Sequence, residues 1–148
     1  ELDYEPRFLQ LASVINGGMP EHVVERVAEL LDKDKKPFQA SRLLVLGAAY
    51  KADTSDYRES PALDVIKLLV ERGASVSYHD RFVPEIRVAE RRLRSQPLTR
   101  KALAGADCVL ILTAHNGIDY VDVARRARRV FDARNATRGI ARRGLTRL

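Results

Sequence analysis

An apolar run, Leu43-Leu44-Val45-Leu46, feeds a loop dense in charge and then Ser60-Pro61. The run has the length of a buried strand. Ser followed by Pro marks a helix start, with Ser60 as N-cap and Pro61 at the first helical position. Strand followed by helix, repeated along a chain, builds a parallel sheet. The connection here is about a dozen residues, where two to six is usual. It carries Lys51, Asp53, Asp56, Arg58 and Glu59. Ligands of open parallel sheets bind beyond the carboxyl ends of the strands, where this loop emerges. The loop is therefore the leading candidate site.

The rest of the chain repeats that pattern. Phe8, Leu11, Ala12, Ile15, Met19, Val23, Val27, Leu30 and Leu31 recur at helical spacing and predict a helix over 5–33. Pro20 predicts a kink or break in it. A face that long exceeds what a small sheet covers, so we expect it to pack on another domain or subunit. A helix is expected from Pro61 to about Arg72, ended by Gly73 as its C′ residue. Strands are expected at Ser75–His79, Cys108–Leu112 and Val130–Asp132. Helices are expected over Leu98–Ala104 and from Asp119 or Tyr120 to about Arg128. Ile86–Leu93 reads as a short helix, and Gly139 onward as a ragged end. The fold class is α/β, a Rossmann-like open parallel sheet with helices on both faces and a long N-terminal helix ahead of it. The division falls at residues 1–36 and 37–148.

Charge and cysteine use narrow the function. The net charge of +6 is local: residues 125–148 hold nine arginines against Asp132 alone, +8, leaving −2 for residues 1–124. Phe131 is the only aromatic among those arginines, so nucleic acid is not the expected partner, and a solvated arginine-rich end is the plainer reading. No apolar run approaches bilayer length. The first residue is Glu1 rather than Met, which we read as a piece of a longer protein. One cysteine, Cys108, lies in an apolar run, as a core residue of a cytoplasmic protein would. His22, His79 and His115 lack metal-site spacing.

Lys51 and Arg58 suit a diphosphate, one as a mobile point charge and the other as a planar fork. Some of the loop acids are expected to stiffen the loop, leaving at least one cation free. Tyr50 either lies against a ligand ring or plugs the top of the sheet, the plug being favoured. Arg134 follows the fourth expected strand and lies at the same carboxyl edge. Asp80, ending the second strand, reads as a turn former. Gly47-Ala48-Ala49 fails the G-x-G-x-x-G dinucleotide pattern at Ala49, so a whole dinucleotide is not expected on this half.

Gly47-x-x-Tyr50-Lys51-x-x-x-x-Asp56-x-Arg58-Glu59-Ser60-Pro61 resembles the signature of the C-terminal, nucleotide-sugar-binding domain of the UDP-glucose/GDP-mannose dehydrogenase family. Asn16-x-x-Met19-Pro20-x-x-Val23-Val24, Tyr78-His79-Asp80-x-x-Val83-Pro84 and Asp132-x-Arg134-Asn135-Ala136-Thr137-x-Gly139 resemble flanking motifs of the same family. The variants are most like the branch that oxidises UDP-N-acetylhexosamines, although Arg81 and Ala133 stand where that branch usually has Pro and Thr. The resemblance implies an NAD-dependent UDP-sugar 6-dehydrogenase that oxidises C6 to a carboxylate in two steps. The N-terminal NAD domain and the catalytic cysteine would lie outside this chain, which alone would be inactive. It further implies that Tyr50, Lys51 and Arg134 touch the UDP-sugar, and that Arg58 reaches toward NAD. Residues 1–36 would be the end of a central helix through which the family forms homodimers. The alternative is a stand-alone nucleotide-sugar-binding or regulatory module without catalysis.

Overall fold

The computed structural model describes residues 17–148. Helix α1 (Met19–Lys33) opens after Gly18, with Pro20 in its first turn. Strand β1 (Arg42–Leu46) follows, then α2 (Pro61–Glu71) and β2 (Ser75–His79). A hairpin of β3 (Glu85–Val88) and β4 (Arg91–Arg94) leads to α3 (Arg100–Gly105) and β5 (Cys108–Ile111). The chain continues through α4 (Tyr120–Arg126), β6 (Val130–Asp132) and β7 (Leu145–Arg147). The main sheet runs β2-β1-β5-β6-β7, every neighbouring pair parallel.

The apolar strands are continuous because they feed two cores. Successive side chains of a strand face opposite ways. Leu43 and Val45 of β1, with Cys108 and Leu110 of β5, join α1 and α2 in one core. Leu44 and Leu46, with Val109 and Ile111, face Leu103 of α3 and Val123 of α4 in the other. Helix α2 starts as its sequence dictates: the Ser60 hydroxyl accepts from the Ala62 N–H, and Pro61 occupies the first turn. It ends before Gly73, whose φ of +91° suits a residue without Cβ.

Four expectations change. Ile86–Leu93 is a hairpin rather than a helix. Ile86 and Val88 alternate inward while Arg91, Arg92 and Arg94 face solvent. The chain after Gly139 is ordered into β7, which pairs with β6 in register Val130↔Leu145. Several arginines of this region serve the fold instead of standing in solvent. Arg129 pairs with Asp34, Arg142 donates to the carbonyls of Ala124 and Ala127, and Arg147 donates to those of Thr137 and Ile140. The carbonyls of Ala124 and Ala127 lie at a helix end, where backbone acceptors lack intrahelical partners. Finally, Val23, Val24, Val27, Leu30 and Leu31 of α1 are buried in this chain's own core. The described half of the N-terminal helix is thus already covered; positions 8–15 lie outside the described residues.

Candidate functional site

The carboxyl edge of the sheet is organised by two buried carboxylates. Asp80 follows β2 and is 1% exposed. Its Oδ2 accepts from the N–H groups of Ala48 (2.8 Å) and Ala49 (3.1 Å) at the base of the β1 loop. Its Oδ1 accepts from the N–H groups of Phe82 (2.8 Å) and Val83 (3.2 Å). Burial alone would raise its pKa, but the Ala48 N–H, the His115 ring and the Phe82 N–H outweigh that and hold it below the ordinary carboxylate value. Asp80 is therefore the junction of two loops, not the plain turn former expected. Asp132 ends β6 in the same manner. Its Oδ1 accepts from the N–H groups of Arg134 (2.9 Å) and Ala136 (3.2 Å), and its Oδ2 from the Thr137 N–H (2.8 Å) and hydroxyl (2.5 Å). Burial opposes ionisation here too, and the four donors again win.

The β1 loop is cinched at its base. Ala49 O accepts from the hydroxyls of Thr113 (2.7 Å) and Ser60 (3.2 Å), and the Tyr50 N–H donates to Asp56 O at 2.7 Å. Gly47 must be glycine: a Cβ there would lie 2.4 Å from Thr113, and its φ is +88°. The loop is pinned again at Asp53, whose carboxylate accepts from the backbone and side-chain nitrogens of Asn116.

Between these anchors the candidate ligand residues project outward. Tyr50 is 47% exposed, so it does not plug the sheet; Ala48, Ala49 and Tyr78 fill that place. Lys51 lies 6.0 Å from the Tyr50 ring centroid and has no ion pair among the described residues. Arg58 is exposed and pairs with Asp56 at 3.2 Å; this hydrogen bond draws the Asp56 carboxyl below its usual range. Arg134 lies across β5 from the Lys51 loop. Its Nε donates to Leu112 O at 2.8 Å, and Leu112 N–H donates to Leu46 O at the end of β1. The Arg134 side chain is so drawn back over β5, the strand between its own and that of Lys51.

The edge suits an anion held by side-chain cations better than a dinucleotide held by backbone. The first strand-to-helix turn of a dinucleotide fold offers free N–H groups to the pyrophosphate. Here the N–H groups of Ala48 and Ala49 are taken by Asp80, so these residues do not fit NAD. Cys108 is no nucleophile either: it is fully buried, and burial pushes its thiol up to about 12. Asp80 and His115 escaped the sequence reading as site organisers, whereas Asp53 stiffens the loop as some of its acids were expected to, through Asn116 and His115 instead of a loop cation. The available signal was an Asp directly at the carboxyl end of two different strands.

Comparison with known proteins decides the family. The profile of the UDP-glucose/GDP-mannose dehydrogenase family, UDP binding domain, matches residues 44–139. The chain belongs to this family. The match spans β1 to the loop after β6, so the edge just described lies in the family's UDP binding domain. A UDP-N-acetyl-D-mannosamine dehydrogenase of Methanococcus maripaludis is 31% identical over 137 residues, covering 87% of this chain and 30% of the relative. A UDP-glucose 6-dehydrogenase of Haloferax volcanii is 36% identical over 135 residues, covering 88% and 30%. The chain thus spans about 30% of the length of the relatives it matches. The fold is shared with a UDP-D-ManNAc dehydrogenase from Pyrococcus horikoshii, at a TM-score of 0.80 and 24% identity over 99% of this chain and 34% of that one.

Proposed function

We propose that this chain is the nucleotide-sugar-binding part of an NAD-dependent UDP-sugar 6-dehydrogenase, with Tyr50, Lys51 and Arg134 holding the UDP moiety. One observation carries the reading: an anchored loop presents Lys51, without an ion pair among the described residues, at the same sheet edge as Arg134, within the family's UDP binding domain. The named activities of the relatives differ in hexose and share UDP. Two cations converging on a diphosphate supply the charge-assisted bonds this common portion needs. NAD and the chemistry at C6 belong to the remaining length of the enzyme. By the family resemblance Arg58 is the residue of this chain that reaches NAD; its guanidinium is exposed and pairs with Asp56. Residues 1–36 complete the family's central helix, 37–148 form the α/β domain, and the enzyme is a homodimer through that helix.

Calorimetric titration separates the roles. Lys51→Ala is expected to bind UDP-glucose roughly ten- to a hundredfold more weakly, the worth of one charge-assisted hydrogen bond. Its melting temperature should stay within a degree or two of wild type, since an exposed loop cation contributes about 0–1 kcal/mol to folding. In the full-length enzyme, Arg58→Ala is expected to weaken NAD and to leave UDP-glucose unchanged. Wild-type UDP-glucose affinity in Lys51→Ala would make the loop mere scaffold and end the proposal.

A further inference from the structure

We infer that His115 is a positioning residue for the UDP-sugar site: its buried imidazole holds the Tyr50–Lys51 loop in place over the sheet. The inference rests on the assignment of Lys51 to the UDP-sugar. His115 is 1% exposed, sits in the loop after β5 and is too deep to meet a ligand at the loop surface. Its Nε2 lies 2.7 Å from Asp80 Oδ2, and its Nδ1 accepts the Asp53 backbone N–H at 2.8 Å. A ring nitrogen that accepts from an amide carries no proton, so the proton resides on Nε2 and is donated to Asp80. The other tautomer would set two N–H groups against each other and a lone pair against a carboxylate.

The consequence for the loop follows from where its other ties fall. The Tyr50–Asp56 backbone bond and the Thr54 hydroxyl on Lys51 O, 3.1 Å, are internal and set only its shape. Asp80, Thr113 and Ser60 hold Ala48 and Ala49 at its base. Beyond that base the loop is bound to the body of the protein at Asp53, two residues from Lys51: the His115 ring takes its backbone N–H, and the two Asn116 nitrogens donate to its carboxylate. Asp53 also has a φ of +60°, a left-handed conformation that Asp tolerates better than most residues. An apolar side chain would pack equally well beside Phe82, whose ring centroid lies 5.0 Å from that of His115. The imidazole adds a rigid link from the Asp80 junction to the middle of the ligand loop. Its role resembles that of an outer-shell partner, which orients a binding group without touching the ligand.

The test is a double-mutant cycle read by calorimetry with UDP-glucose, across wild type, Lys51→Ala, His115→Phe and the pair. His115→Phe fills the space and loses both bonds; about tenfold weaker binding is expected. His115→Gln, whose amide can donate and accept, should restore most of the affinity. In the Lys51→Ala background, His115→Phe should cost clearly less than in wild type, keeping only the part that acts through Tyr50. Wild-type affinity in His115→Phe, or an equal loss with and without Lys51, would overturn the positioning role. Wild-type affinity in Lys51→Ala would instead remove the reading beneath it. Nitrogen-15 spectra of the unaltered imidazole give an answer that does not depend on the variants folding. A protonated Nε2 with a bare Nδ1 is expected, and a proton on Nδ1 would refute the link to Asp53.

Discussion

Asp80 and Asp132 each convert the end of a strand into a small hub of N–H donors, and both make the fold sensitive to acid. Each carboxyl has its folded pKa below the ordinary 3.8. A depressed folded value gives stability that is complete above the unfolded pKa and is lost as pH falls through the folded one. Stability should therefore hold steady between about pH 5 and 7 and decline below about pH 4. Asp132→Asn should lose about 2–3 kcal/mol at neutral pH, because an amide cannot accept from four donors as a carboxylate does. Its urea-unfolding midpoint should also depend less on acid than that of wild type. An unaltered acid slope in Asp132→Asn would show that other carboxylates dominate. Neither hub was legible from residue type alone: an Asp after a strand looks the same whether it turns the chain or gathers donors from a loop 32 residues away.

Among the elements, the β3–β4 hairpin is the one built against its sequence. Its two turn residues, Ala89 and Glu90, both have positive φ, +47° and +59°. Such turns normally use Asn-Gly or Asp-Gly. An L-residue with a Cβ is disfavoured there by about 1–2 kcal/mol. Replacing Ala89 by Asn and Glu90 by Gly should therefore raise stability by ~1 kcal/mol, measurable as a melting temperature several degrees higher. A lower value would mean that the Ala89 and Glu90 side chains make contacts worth more than the strain. The absence of a turn signature also explains the mistaken helix over 86–93, since Ile86, Ala89 and Leu93 fit helical spacing as well. By contrast β1, β2, β5, β6 and α2 were readable, because apolar runs, the alternation of Ser75–His79, Ser60-Pro61 and Gly73 each admit few local structures. β7 was not, as Leu145-Thr146-Arg147 is too short and polar to announce itself and acquires strand form only from pairing with β6.

Across the whole molecule, the balance of apolar surface bears on assembly. The apolar residues of α1 are consumed inside the chain, packed with α2 against the sheet. If the homodimer proposed above uses the apolar positions Phe8, Leu11, Ala12 and Ile15, which lie outside the described residues, their removal should abolish it. Sedimentation equilibrium is expected to show a dimer for the 148-residue chain and a folded monomer once residues 1–16 are removed. A dimer that survives the truncation would place the interface elsewhere. The resemblance of the Gly47–Pro61 signature already pointed to a UDP-binding edge. The anchoring of that edge required the fold, because residues 53, 80 and 115 meet only when three strands lie side by side.

The parallel sheet also bears on how the chain reaches this state. None of its five strands is joined to a neighbour by a hairpin; β1 must wait for β2 beyond a whole helix and for β5 about twice as far along the chain. Among the described residues the one tight pairing, β3 with β4, lies outside the sheet. Assembly therefore cannot zip outward one turn at a time. It must close long segments before any sheet contact repays the lost chain entropy, the circumstance that makes folding slow.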